Sequence, residues 1–434
     1  MRPKPALILL GFFACAIAAA QSLEQKPADP YFDKFHPVEA PKISRLDLKK
    51  GDRLAICGDS ITEQKMYSRI METYLTVCVP ELDVTVRQFG WSGERAPGFL
   101  ARMTNDCLRF KPTIATTCYG MNDHEYRAYE DRIGRTYREK STAIVEAFKA
   151  NHTRVILGSA GCVGKTPTWV GAKNATVDDL NLNLCQLRNI DIEIAHKEHV
   201  RFADVFWPML VEGHLAQQKY GPDYAIAGKD GVHPGWAGHL VMAYAFLHAM
   251  GLKGDIGTFT VDLRSNKAKA SKGHEVLGFK NGELQITSHR YPFCIGDGDP
   301  AKDDNIRSGT TLVPFDQELN RLMLVVKHPA AKSYQITWGD ASKTFTADQL
   351  SKGINLAEEF PRNPFSDAFK KVDDAVAAKQ NYETKQIKQI FRSPEAKTDM
   401  EGVAARTEQE RAPLAAAIKA AFVPVTHTIK IVAQ

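Results

Sequence analysis

The chain has 434 residues, room for roughly two to three domains at about 150 residues each. With 44% hydrophobic, 25% charged and 9% aromatic residues, its make-up is that of a globular protein, which excludes wholesale disorder and a multi-span membrane protein. The formal net charge is only +5, and Arg2 and Lys4 lie in a segment read below as removable, so charge makes no case for nucleic acid as a partner.

Residues 1–20 read as an export signal. Arg2 and Lys4 precede an uncharged apolar run over 6–20, which closes on Ala18-Ala19-Ala20-Gln21, a pattern signal peptidase accepts. The run is shorter than the roughly 20 residues a spanning helix needs, and no other stretch could span, so stable membrane insertion is not expected. Of the eight cysteines, Cys15 leaves with the signal. Cys57, Cys78, Cys107, Cys118, Cys162, Cys185 and Cys294 remain, an odd set that cannot all pair within one chain. Most stand in apolar contexts, as buried thiols do, which leaves room for none to about two disulfides. A secreted or periplasmic location follows from this reading.

Residues 21–50 are rich in Pro and Lys without periodicity and are expected to lie along the surface as a leader. From Arg53 onward, short apolar runs at 53–57, 83–89, 112–118, 153–158 and 201–205 alternate with amphipathic segments near 64–79, 98–110, 135–150, 177–199 and 236–250. This alternation predicts an α/β domain over 51–254, a parallel sheet with helices on both faces. In such a sheet a site is expected at the carboxyl ends of the strands.

Past Gly251 the pattern changes. Phe259, Val261 and Leu263 alternate with polar residues, Asn281-Gly282 is a hairpin signal, and 322–326 and 334–338 are further strand candidates. Residues 255–355 therefore read as an accessory β module. Over 356–434 a helical hairpin is predicted: Phe365, Phe369, Val372 and Val376 share one helix face, Ser393-Pro394 ends that helix, and an Ala-rich helix covers 402–422. The alternation of Val425, Ile429 and Ile431 with polar residues predicts a last strand that returns to the β module. This half carries no recognisable catalytic residue; it is expected either to cover the site or to hold a polymer.

Four sequence blocks face the expected sheet edge. Gly58-Asp59-Ser60-Ile61-Thr62 ends the first strand, where a Ser hydroxyl stands at a helix N-terminus; taken alone, it reads equally well as a capped turn. Asp230-Gly231-Val232-His233-Pro234 has a spacing that lets a carboxylate hold one ring nitrogen while the other faces a nucleophile. Gly90-Trp91-Ser92-Gly93 and Gly120-Met121-Asn122-Asp123 follow the second and third strands and offer a backbone N–H and a side-chain amide to a developing oxyanion.

In this order the blocks resemble the SGNH (GDSL-type) hydrolase superfamily, whose motifs are a GDS serine, a glycine, a G-x-N-D asparagine and a D-x-x-H-P histidine. Gln88-Phe89 stands where the second motif often opens on Asn, and Glu94 replaces the commoner Asp; Gly93 rather than Gly90 takes the glycine position. The resemblance implies a three-layer, flavodoxin-like α/β/α fold. It implies Ser60 as nucleophile, His233 as general base and acid, and Asp230 as its orienter, with Ser60, Gly93 and Asn122 as the oxyanion hole. It also implies that no cofactor and no metal are needed. Trp91 and His124 flank the oxyanion residues and are candidate substrate contacts.

The expected activity is hydrolysis of short acyl esters, acetyl above all, on a carbohydrate or another small ester substrate. A lipase, lysophospholipase or thioesterase is the alternative within the class, and a non-catalytic glycan-binding or envelope protein the alternative outside it. Nothing in the sequence sets the oligomeric state. The stretch from Ser159 to Thr166 imitates a phosphate loop, but Ser159 stands where Gly is wanted and Pro167 follows at once, so it is read as a loop beside the site. His196 and His199, with Glu193 and Glu198, are read as a solvated helix face, and Asn151-His-Thr and Asn174-Ala-Thr as glycosylation patterns relevant only in a eukaryotic host.

Overall fold

The alternating apolar runs form strands β1 (Arg53–Gly58), β2 (Thr85–Gln88), β3 (Ile114–Cys118), β4 (Arg154–Gly158) and β5 (Arg201–Ala203) in a computed structural model that describes residues 22–43, 45–170 and 175–434. The export signal and Asn174 lie outside the described residues. All five strands pair in parallel in the order β2-β1-β3-β4-β5. The intervening segments form α1 (Ser60–Glu63), α2 (Tyr67–Val77), α3 (Ala96–Asp106), α4 (Asp131–Ala150), α5 (Val177–Glu198), α6 (Phe206–Tyr220) and α7 (Trp236–Ala249).

Strand β1 shows why helices are needed on both faces. Leu54 and Ile56 join a core with Met71 of α2 and Phe246 of α7, whereas Ala55 and Cys57 join a second core with Phe99 of α3 and Val145 of α4. This is the expected three-layer α/β/α arrangement. Its strand order reverses direction between β1 and β3, and that switch point opens a crevice at the strands' carboxyl ends.

Two features depart from the sequence reading. Helix α6 was not predicted, because its apolar residues Phe206, Trp207, Met209 and Leu210 crowd its first turns instead of recurring with helical period. The leader does more than lie along the surface. Phe32 and Phe35 are fully buried and meet Trp207 edge-on, while Asp29 caps the turn Pro30–Phe32 and bonds His214. Two buried aromatics outweigh the Pro- and Lys-rich composition around them.

The second half contains β6 (Asp255–Asp262), β7 (Lys267–Ala270), β8 (His274–Lys280), β9 (Glu283–Ser288), β10 (Arg321–Lys327), β11 (Ser333–Trp338), β12 (Ala341–Thr346), β13 (Ile354–Asn355) and β14 (Val425–Ala433). They make two sheets, ordered β13-β10-β6-β7 and β12-β11-β14-β9-β8. Asn281 and Gly282, both at positive φ, turn β8 into β9. Phe259 of β6 packs against His427 of β14 and His274 of β8, so the two sheets share one apolar interior.

Between β13 and β14 run α8 (Ser366–Lys388) and α9 (Met400–Ala421). Helix α8 lies on α2 and along β2, the edge of the parallel sheet. There, side chains replace a missing strand. The Gln88 N–H donates to Glu383 (3.1 Å), and the Val86 carbonyl accepts from Lys379 (2.6 Å) and Arg411 (3.1 Å). Lys379, 1% exposed, also meets Glu383 at 2.8 Å and Glu72 at 3.0 Å, a buried charge cluster joining the two halves. The seven cysteines named above are buried free thiols, with Cys57 and Cys107 sulfurs 4.0 Å apart. Among the described residues, no helix is long and apolar enough to cross a membrane.

Candidate active site

Each block predicted from sequence sits on a loop at the carboxyl edge of the parallel sheet, and the fold brings them together. Strand β1 ends at Gly58. Asp59 then caps α1 by accepting the Ile61 N–H at 3.0 Å, which puts Ser60 at the first position of that turn. The loop before α7 supplies the partner. Its fold needs Gly228 at φ +82, where a Cβ would fall 1.7 Å from the His233 carbonyl oxygen, so only glycine fits. His233 Nε2 lies 2.8 Å from Ser60 Oγ, and its Nδ1 lies 2.7 Å from Asp230 Oδ2.

Asp230 is fixed by its own loop, since its Oδ1 accepts the N–H groups of Val232 and His233, both at 2.9 Å. Partial burial alone would raise the Asp230 carboxyl, but these N–H groups and the His233 ring outweigh it and hold it below the usual carboxylate range. The carboxylate thus stays ionised and orients the ring. With Nδ1–H given to Asp230, Nε2 is the ring nitrogen free to accept a hydrogen bond from the Ser60 hydroxyl.

Gly93 lies in an exposed turn at φ +73, with nothing within 4 Å of the place a Cβ would occupy; conformation, not space, calls for glycine there. Asn122 borders this turn, its Nδ2 donating to the Glu94 carbonyl at 3.1 Å and standing 3.4 Å from Asp59 Oδ2. Glu94, the residue in place of the commoner Asp, is buried. It is gripped by Arg102 at 2.6 Å through both carboxylate oxygens and by the Tyr119 hydroxyl at 2.9 Å. The longer Glu side chain reaches a guanidinium on α3, which anchors the far end of the turn.

The two candidate substrate contacts fare differently. His124 is corrected: it is fully buried, its Nδ1 bonds the Met121 carbonyl, and burial holds its ring down at about 4. It supports Tyr126 from behind, ring to ring at 4.6 Å, and a substrate cannot reach it. Trp91 is half-buried at the rim with the cations of Arg102, Lys388 and Arg392 around its ring. The stretch from Ser159 to Thr166 is built as a structural loop: Ser159 Oγ accepts the N–H groups of Val205, just before α6, and of Phe206, its first residue, and the Gly164 N–H bonds the Gly231 carbonyl. No group of three or more His, Cys, Asp or Glu side chains able to hold a metal occurs among the described residues.

Sequence reasoning missed Trp169 and Tyr126. Trp169 is 52% exposed, its indole 5.9 Å from the His233 ring and 6.2 Å from that of Tyr126. The Tyr126 hydroxyl in turn lies 3.4 Å from Asn122 Oδ1. Together they form an aromatic wall beside the serine. The available signal was a lone tryptophan in the Pro-containing polar loop that follows β4, at the sheet's functional edge.

Asp59 carries a pH signature. Burial pushes its carboxyl up to about 7, with Asp123 and Glu94 adding to the effect. The unfolded chain gives up this proton near 4 and the native chain only near 7, so between those values stability declines as pH rises. Asp59→Asn removes that dependence. Between pH 5 and 8, the unfolding free energy of the variant is expected to gain on the parent by up to about 3 kcal/mol, measured as paired urea titrations. A difference that stays constant with pH would contradict the assignment.

Known proteins resemble this chain in part or along most of its length. Residues 56–241 match the GDSL-like Lipase/Acylhydrolase family. An acetylxylan esterase of Geobacillus stearothermophilus is 22% identical over 227 residues, covering 48% of this chain and 98% of the relative. Its solved structure aligns at 21% identity over 48% of this chain and 98% of its own, with a TM-score of 0.41. A gut microbial diltiazem-metabolizing enzyme matches at 22% identity over 89% of this chain and 98% of its own, with a TM-score of 0.70. That last likeness spans both halves, so the accessory sheets and helices belong to a shared fold. Residues 56–241 are a domain of the GDSL-like lipase/acylhydrolase family, and the chain that carries it is a serine hydrolase of carboxylic esters.

Proposed function

We propose that this chain is an exported esterase that removes acetyl groups from a carbohydrate through an acyl-enzyme on Ser60. The observation that carries the mechanism is the unbroken hydrogen-bond chain Ser60–His233–Asp230. His233 takes the hydroxyl proton as Ser60 Oγ attacks the ester carbonyl, and Asp230 balances the imidazolium that forms. The N–H groups of Ser60 and Gly93 and the Asn122 amide stabilise the oxyanion. His233 returns the proton to the leaving alcohol, and water attacks the acyl-enzyme with the same histidine as base. No cofactor or metal takes part in this scheme.

Two features support the substrate class. The curated relative is named an acetylxylan esterase, and the exposed face of Trp169 beside His233 offers the flat apolar surface that suits the C–H face of a sugar ring. The test is acetate release from acetylated polysaccharides, set against p-nitrophenyl esters of increasing chain length. Acetyl is expected to be turned over faster than octanoyl; a preference for long chains would transfer the protein to the lipase or lysophospholipase branch. Trp169→Ala is expected to raise KM for an acetylated oligosaccharide about 5- to 20-fold, a loss of about 1–2 kcal/mol of binding, with p-nitrophenyl acetate nearly unaffected. Equal effects on both substrates would remove the sugar platform.

A further inference from the structure

The turn Trp91-Ser92-Gly93-Glu94 has little packing to hold it, for Ser92 and Gly93 are exposed. Its position depends on polar ties. The Trp91 N–H bonds the Gly58 carbonyl at 3.0 Å, the Glu94 N–H bonds the Trp91 carbonyl at 3.1 Å, and the Ser92 N–H donates to Glu63 Oε2. Glu63 is in α1, three residues beyond Ser60, so one carboxylate links the serine's own turn to the glycine's. That carboxylate is held from outside the hydrolase fold. Lys388, the last residue of α8, reaches Glu63 Oε1 at 2.7 Å and Oε2 at 2.8 Å.

A second tie comes from the same helical hairpin. Arg392 bonds both carboxylate oxygens of Asp106, and Asp106 also meets Arg102, the residue that grips Glu94. The Trp91 ring lies among all three cations, 5.0 Å from Arg102, 5.1 Å from Arg392 and 5.4 Å from Lys388. The Lys388–Glu63 ion pair is part-buried, its side chains 26% and 21% exposed, and solvent screening keeps its contribution to stability small. Its place in this chain of contacts gives it another effect, because one of the two carboxylate oxygens also takes the N–H immediately before Gly93. A donor displaced by about 1 Å can lower a rate by about 100-fold.

We infer that Lys388 and Arg392 are positioning residues: the accessory half sets the Trp91–Glu94 turn so that the Gly93 N–H meets the oxyanion. This rests on the reading of Gly93 as an oxyanion donor. Neither residue touches substrate; Lys388 acts through Glu63, and Arg392 through Asp106 and Trp91.

The test uses the full chain with p-nitrophenyl acetate and phenylboronic acid, a probe that forms a tetrahedral adduct on an active serine. Lys388→Met is expected to lower kcat about 10- to 100-fold with KM changed less than about two-fold, and to weaken phenylboronic acid by a similar factor. Lys388→Arg should recover most of the loss, and Lys388→Met/Glu63→Gln should be no worse than the poorer single variant. Unchanged kcat in Lys388→Met, or a fall in kcat without weaker boronate binding, overturns the inference. Ser60→Ala run alongside separates the two levels. If it keeps activity, the reading of the site itself is wrong; if it is inactive while Lys388→Met equals the parent, only the positioning role is lost.

Discussion

Ser60→Ala is expected to lower kcat/KM for p-nitrophenyl acetate by about 10,000-fold or more and to abolish the acyl-enzyme burst. The size follows from the division of labour in the site. Without Oγ there is no nucleophile for His233 to activate, and what is left is the oxyanion donors acting on unpositioned water. The fold should barely register the change, since Ser60 is half-exposed and its hydroxyl bonds His233 alone among the described residues. One hydrogen bond of this kind is worth about 1 kcal/mol, so the melting temperature should move by at most a few degrees. Residual activity within ten-fold of the parent would reject Ser60 as nucleophile.

The second large effect is on stability. Lys379→Met is expected to destabilise the protein by about 3–5 kcal/mol, read as a lower urea midpoint. Lys379 is one of the least exposed charges in the chain and satisfies three acceptors: the Val86 carbonyl, Glu383 and Glu72. Methionine matches its stem but leaves two buried carboxylates facing each other. Arg411 compensates only for Glu383, at 2.7 Å. Glu72→Gln should recover part of what Lys379→Met loses, because it removes the charge left unpaired. Strictly additive losses would show that the cluster does not act as a unit.

The parallel sheet was legible because its strands are buried on both faces and appear as unbroken apolar runs, and because each chemical block follows one of those runs. The residues with the strongest geometric signature, Ser60, Asp230, His233 and Asn122, lie within local motifs whose spacing can be read directly. What escaped depends on pairings distant in sequence. Lys379 and Glu383 continue the 3- and 4-residue spacing of Phe365, Phe369, Val372 and Val376, so the period places them on the buried face, but nothing in that spacing says that this face meets β2 or that the two charges pair there. Lys388 and Glu63 are ordinary surface charges until the fold sets them 2.7 Å apart. His124 misled for the converse reason. Its neighbour Asn122 faces the crevice, but the turn places the His124 ring behind Tyr126, and proximity in sequence is no guide to which side of a turn a residue takes.

Strand β14 bears on how the chain acquires its shape. It is the central strand of its sheet, hydrogen-bonded to β9 on one side and β11 on the other. It follows both in sequence, with α8 and α9 in between. On the ribosome, therefore, β9 and β11 emerge without the strand that joins them, and each exposes an unpaired edge while the two helices are being made. The closing event is a strand insertion of high sequence separation, slow by its topology. The same event secures the helical hairpin at its far end, just as Lys379 ties it to the parallel sheet. The accessory half is thus threaded rather than appended, and a chain stopping anywhere between α8 and β14 would leave the sheet open at its middle.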